Sequence, residues 1–171
     1  MYPYAYIQFL VHFHADRDYF ECHEIGEEYW KQGSNRLSLW VALIQIAVAQ
    51  YHYRRKNTNG AIRLLNHAIS ILEGQDETVT QYGLHYENLL TLLHNELLRM
   101  KEGKAYESIT LPIADSALAF TCIQTCKELG LNWNSKSDMT NTLLINKHTL
   151  RDRTDVMNER YKQIEKRKQR S

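Results

Sequence analysis

The chain has 171 residues, which predicts one domain with at most a short appended segment, because domains commonly run to about 100–200 residues. Apolar residues make up 43%, which excludes intrinsic disorder as the default state, and the low counts of 2 prolines and 7 glycines argue against β-sandwiches and barrels. Basic and acidic side chains number 21 and 20, so the net charge of +1 indicates no particular class of partner.

Hydrophobic spacing, capping residues and glycines then divide the chain into helical segments in chain order. We predict an all-α fold, a compact bundle of five to seven helices, from the segments 4–13, 17–31, 37–55, 61–72, 80–101, 113–129 and 139–171. Asp16 is the predicted N-cap of the second helix. The third segment is apolar almost all round over residues 39–55, which is typical of a buried central helix.

The same pattern predicts three regions. Residues 1–104 form a helical core, residues 105–138 add a helix that packs on it, and residues 139–171 form a long, amphipathic, basic C-terminal helix. That last helix carries an apolar residue at every seventh position: Leu143, Leu150, Met157 and Ile164.

Residues 151–171 include eight basic and four acidic side chains, which indicates either a solvated helix end or a contact surface. If it is a surface, we expect a protein partner or a second copy of the chain, and we expect no nucleic acid.

The sequence predicts no targeting segment. The N-terminus has no positively charged stretch followed by an apolar one, and the most apolar run, residues 39–49, is shorter than the roughly 20 residues that span a bilayer. We therefore expect no membrane association and a cytoplasmic location. The three cysteines have no disulfide-like spacing and are predicted to be small buried residues: Cys22, Cys122 and Cys126.

The second helix carries the most informative pattern. At about 100° per residue, one side of it holds five residues that we expect to face the core. These are Tyr19, His23, Gly26, Glu27 and Trp30. Glu24 and Glu28 fall on the more exposed side.

Two polar residues of the third helix, Gln45 and His52, are seven positions apart and therefore nearly stacked on one stripe. We expect them to face His23 and Glu27, because a buried polar group without a partner costs about 1–3 kcal/mol.

Two interpretations of these side chains compete. In the first, His23, Glu27 and His52 hold a divalent cation such as Zn²⁺, Mn²⁺ or Fe²⁺, with Glu24 as general base. In the second, His23, Glu27, Gln45 and His52 form a buried network that fixes how the two helices pack. The spacing H-E-x-x-E is not the zincin spacing H-E-x-x-H, so the sequence alone favours the structural network.

The run from Tyr19 to Trp30 resembles the central HExxExxW motif of domain-of-unknown-function family 309. Residues 43–47, His52 and residues 60–68 agree with the same family, so that the resemblance covers about residues 9–72. It implies a compact helical bundle with these motif positions: His23, Glu24, Glu27, Trp30, Gln45 and His52.

Members of this family have been labelled predicted metal-dependent hydrolases, so the resemblance implies a hydrolase-like protein with a divalent metal. The alternative is a non-enzymatic helical scaffold or protein-interaction module.

Overall fold

The computed structural model describes residues 1–33, 37–150 and 154–168, with residues 154–159 described by their backbone alone. Over these residues the chain forms nine α-helices and one short 3₁₀ helix, and its β-structure is one isolated bridge between Leu84 and Ile113. The α-helices are α1 Tyr4–His14, α2 Tyr19–Gln32, α3 Ser38–Arg54, α4 Thr58–Leu72, α5 Asp76–Gln81, α6 Tyr86–Lys101, α7 Ser116–Glu128, α8 Thr142–Ile145 and α9 Thr154–Lys168. The predicted all-α class is confirmed, with more helices than the five to seven expected.

Helix α3 lies at the centre of the bundle, between α2 and α4, as its all-round apolar sequence predicts. Trp40 is fully buried on this helix and contacts the rings of Tyr6, Phe9 and Tyr29 from α1 and α2. Helix α1 packs against α2 and α7, and α4 packs against α6. The core thus joins the first two helices to the centre of the chain.

Helix α2 begins later than predicted, because Arg17 adopts the left-handed conformation with φ of 57° and cannot start a helix. The N-cap is therefore Asp18, which accepts from the Glu21 N–H at 3.0 Å. Asp16, the predicted N-cap, contacts the His12 Nδ1 at 3.0 Å instead.

Of the predicted helix over residues 80–101, residues 86–101 form α6 and residues 80–81 are the end of α5, and the chain breaks between them around Gly83, where φ is +74°. The chain turns there to bond a distant segment: the His85 N–H donates to the Pro112 carbonyl, and the Ala114 N–H donates to the Gly83 carbonyl, each at 2.8 Å. These tertiary hydrogen bonds outweigh the helical period of the local sequence.

The predicted long C-terminal helix is present as α9, but α8 and the 3₁₀ helix Lys147–Leu150 precede it as separate elements. Leu143, Leu150 and Ile164 are exposed. Met157 is outside the residues whose side chains are described, and residues 151–153 and 169–171 of the basic segment are outside the described chain.

Two long irregular segments, residues 104–115 and 129–141, are tied to the bundle by buried polar side chains. Arg17 donates from Nε to the Ser135 carbonyl at 2.8 Å and from Nη1 to the Ile109 carbonyl. His14 donates from Nδ1 to the Leu10 carbonyl at 2.7 Å and accepts the Leu111 N–H at 3.0 Å. The three cysteines are buried and free, as predicted. No helix within the described ranges combines the length and apolarity that a bilayer crossing requires.

Candidate functional site

The imidazole of His23 lies between two carboxylates of its own helix. Its Nδ1 is 3.1 Å from the Glu24 Oε1, and its Nε2 is 3.7 Å from the Glu27 Oε2. One ligand atom from each of these three residues lies within 4.8 Å of the others. Among residues 1–33, 37–150 and 154–168, this is the one group of three or more such side chains that could converge on a metal ion.

The cluster lies at the margin of the bundle and not in its interior. The side chains of His23, Glu24 and Glu27 are 28%, 37% and 35% exposed, so the expectation that His23 and Glu27 face the core is wrong. The buried residues of α2 are Tyr19, Cys22 and Gly26, which set the helix face that packs inward. His23 and Glu27 each follow one of these buried positions by one residue and therefore flank that face.

Charge around the cluster is mixed. The Lys31 ammonium lies 2.7 Å from the Glu27 Oε1. A shallow surface cavity of about 340 Å³ adjoins the cluster and is lined by Glu24, Glu27, Glu28, Lys31 and Gln32. A cation bound at the cluster would therefore face open space on one side, where a small molecule could approach it.

His52, the third predicted ligand, is outside this group. Its Nδ1 accepts from the Asn57 Nδ2 at 3.2 Å, at the end of α3. Burial lowers the pKa of His52, and the neighbouring Arg55 and His148 lower it further. The other two predicted network residues, Trp30 and Gln45, are half-buried, as are His23, Glu27 and His52. The structure therefore does not contain the expected buried network between α2 and α3. The residues of that network are half-buried, and His52 is hydrogen-bonded to the nearby Asn57.

The donor set has the chemistry of a site for Zn²⁺, Mn²⁺ or Fe²⁺, which take imidazole nitrogen and carboxylate oxygen. All three donors come from positions i, i+1 and i+4 of one helix, so an ion held by them would keep open coordination positions. Whichever ring nitrogen of His23 binds the ion, the other faces a carboxylate that can accept a hydrogen bond from it and fix the tautomer.

Sequence reasoning missed a set of polar side chains that the structure buries on other segments than α2: His14, Arg17, Gln50, Arg54 and Glu96. One signal was available, because Gln50 and Arg54 are four apart near the end of the apolar helix α3 and so share a helix face.

Comparison with known proteins gives two matches. The family model described as "Domain of unknown function (DUF309)" matches residues 6–64, which include the cluster on α2. The chain is also 49% identical over 170 residues to "Uncharacterized protein YpuF" of Bacillus subtilis (strain 168), covering 98% of each sequence. No solved structure matches the chain significantly.

Proposed function

Since the chain belongs to the DUF309 family, whose description assigns no activity, we propose from its geometry that it holds a divalent cation at His23 and Glu27, with Glu24 beside the ion. The observation that supports this function is the approach of one nitrogen and two carboxylate oxygens to within 4.8 Å of one another. The finer proposal is metal-dependent hydrolysis, because a cation with open coordination positions can activate a bound water.

Each residue would have a distinct part in such a site. His23 and Glu27 would supply the nitrogen and oxygen donors. Glu24, 3.1 Å from the His23 Nδ1, would accept a hydrogen bond from the ring N–H, hold the imidazole in place and act as general base. A bound divalent cation supplies an acidified water or polarises a carbonyl or phosphoryl group. Lys31, released from Glu27, would offer a positive charge to an anionic substrate.

The binding step is tested by titrating the metal-free protein with Zn²⁺ and with Mn²⁺, using isothermal calorimetry and the thermal unfolding midpoint. We expect the wild type to bind one ion and Glu27→Gln to bind at least tenfold more weakly, because the amide removes one charged donor. Glu28→Gln is the matched control, since Glu28 lies on the same helix and bonds Gln32 at 3.1 Å. A wild type that binds neither ion, or a Glu28→Gln variant that loses as much affinity, contradicts the site.

The hydrolytic step is tested with the metal-loaded protein and a panel of carboxylate esters and phosphodiesters. We expect Glu24→Gln to keep most of the bound metal and to lose about 10²–10⁴-fold in turnover, the usual contribution of a general base. Equal turnover by the wild type and Glu24→Gln, with metal bound in both, contradicts this role for Glu24.

A second candidate function is self-association through the C-terminal helix. It is favoured by two exposed apolar side chains on α9, namely Tyr161 and Ile164. A second copy of the chain would cover them.

Sedimentation of the whole chain and of a truncation after Leu150 tests this candidate. We expect the whole chain to dimerise and the truncation to be monomeric while it keeps the helical circular dichroism of the remaining helices. A whole chain that stays monomeric at about 100 µM, well above ordinary dimer affinities, contradicts it.

A further inference from the structure

Two arginines are buried in the bundle without a carboxylate partner. Arg17 is 2% exposed and Arg54 is 3% exposed. Within the part of the chain that is described, no ion pair joins either guanidinium to an aspartate or glutamate. An arginine side chain stays charged, and a buried charge without a counter-charge is costly, so the pair favours an anion nearby.

Only one nitrogen of the Arg54 guanidinium, Nη1, makes hydrogen bonds to the described residues. Its Nη1 donates to the Arg17 carbonyl at 2.7 Å and to the Ser137 Oγ at 3.2 Å, and its guanidinium lies over the Tyr19 ring. Its Nε and Nη2 are buried and make no hydrogen bond to the described residues. The positive charge of Arg54 is thus linked to the Ser137 hydroxyl by a direct hydrogen bond.

Ser137 lines a cavity of about 290 Å³ between the two irregular segments. The cavity is lined by Tyr106, Glu107, Ser108, Lys136, Ser137 and Met139. Three of the lining hydroxyls converge: the Tyr106 Oη lies 2.8 Å from the Ser137 Oγ and 3.2 Å from the Ser108 Oγ, and the two serine oxygens are 3.3 Å apart.

We propose that this cavity binds the phosphate group of a small phosphorylated molecule. Hydroxyl protons rotate to suit their acceptors, so the three hydroxyls can turn toward phosphate oxygens while the Tyr106 Oη keeps its hydrogen bond with the Tyr19 Oη. Lys136 adds an ammonium from the lining, and Arg54 adds a positive potential one hydrogen bond behind Ser137. Glu107 is the opposing charge, and its carboxylate lies 3.5 Å from the Arg99 Nη2, which partly offsets it.

The donor set and the size of the cavity favour a phosphate monoester. Hydroxyls and a lysine supply several separate donors, which suit the three terminal oxygens of a monoester better than the two of a carboxylate. A volume of about 290 Å³ also leaves room for a small organic group beside the phosphate.

The test uses the whole chain and two probes, inorganic phosphate and glycerol 3-phosphate, each titrated by calorimetry at constant ionic strength, with glycerol as the uncharged reference. The buffer contains EDTA, so a phosphate held by a cation at His23 cannot account for binding. For the same reason Glu27→Gln, which would lose the proposed metal, keeps its phosphate affinity.

We expect the glycerol 3-phosphate affinity to fall about tenfold in Ser137→Ala and in Lys136→Gln, since each loses one donor to the anion. Lys127→Gln is the matched control, because Lys127 is exposed on α7 and away from the cavity lining. Arg54→Met is expected to bind more weakly than either, and if Arg54→Met or Ser137→Ala does not fold, Lys136→Gln, which changes an exposed side chain, still decides the outcome. The proposal is overturned if the wild type binds neither probe at millimolar concentration, or if it binds glycerol as tightly as glycerol 3-phosphate. It is also overturned if Lys127→Gln loses as much affinity as Lys136→Gln.

Discussion

His14 is a fully buried histidine whose two ring nitrogens both have backbone partners. Its Nδ1 donates to the Leu10 carbonyl and its Nε2 accepts the Leu111 N–H, an arrangement that only the neutral ring can make. Burial lowers the pKa of His14 from its ordinary value of 6.5 to about 4, which the charge of Arg17 reinforces. The ring is therefore a structural tie between α1 and the segment before α7.

This tie makes stability depend on pH. Because the folded-state pKa lies below the unfolded one, the contribution of His14 is fully present above about pH 6.5 and is lost as the pH falls toward 4, for a total of about 3 kcal/mol. Urea unfolding at pH 7, 6, 5 and 4 measures the effect. In His14→Gln, which cannot titrate, the difference in unfolding free energy from the wild type should shrink over the same interval. A constant difference contradicts the assignment.

Spacing along one helix is what made part of the candidate site predictable. His23, Glu24 and Glu27 lie within about one helical turn, so their proximity follows from the geometry of α2. The distance from His23 to His52 depends instead on how α2 packs on α3, and no spacing rule gives it. The burial of Arg54 is equally nonlocal, because its partners lie at Arg17 and Ser137.

At the scale of elements, two glycines with similar φ angles differ in how closely they are packed, so substituting each one distinguishes the cost of backbone strain from the cost of a steric clash. Gly74 and Gly83 have φ of +79° and +74°. A Cβ at Gly74 would meet nothing within 4 Å, whereas one at Gly83 would lie 2.6 Å from the Tyr2 Oη and 2.8 Å from the Leu118 Cδ2. Gly83 lies at the break between α5 and α6 and carries the carbonyl that bonds Ala114.

We therefore expect Gly74→Ala to cost about 1 kcal/mol of unfolding free energy, the usual penalty for a left-handed residue. Gly83→Ala should cost about 1–3 kcal/mol more, since the added methyl group must also displace packed atoms. Urea denaturation of both variants at pH 7 checks the difference. Equal costs would mean that the chain around Gly83 relaxes without loss.

The long helices were predictable because their apolar residues recur at helical period, and α3 followed from an unbroken apolar sequence. The break at Gly83 was not predictable from the sequence, because it is caused by hydrogen bonds to Pro112 and Ala114, about thirty residues away. Helix α2 begins two residues later than predicted because Arg17 adopts the left-handed conformation. The side chain of Arg17 donates hydrogen bonds to the Ile109 and Ser135 carbonyls. Local propensity was overruled in both places by distant partners.

At the scale of the whole molecule, the first helices and the later segments depend on each other. The family model ends at residue 64, but the similarity to YpuF extends over 98% of the chain. The segments 104–115 and 129–141 supply two carbonyls and a hydroxyl that accept hydrogen bonds from Arg17 and Arg54. Their course over the bundle was not predictable, because they have no periodic pattern of their own.

The two buried guanidinium groups have a consequence for dissecting the protein. A polypeptide that stops at residue 104 would retain both arginines and lose Ile109, Ser135 and Ser137, their acceptors outside the first helices. Both guanidinium groups would then lack these hydrogen-bond acceptors at a newly exposed surface, where Arg54 lies over the ring of the normally buried Tyr19. The fragment 1–104, which contains the family match over residues 6–64, thus depends on the later segments for these hydrogen bonds, and we expect it not to fold stably by itself.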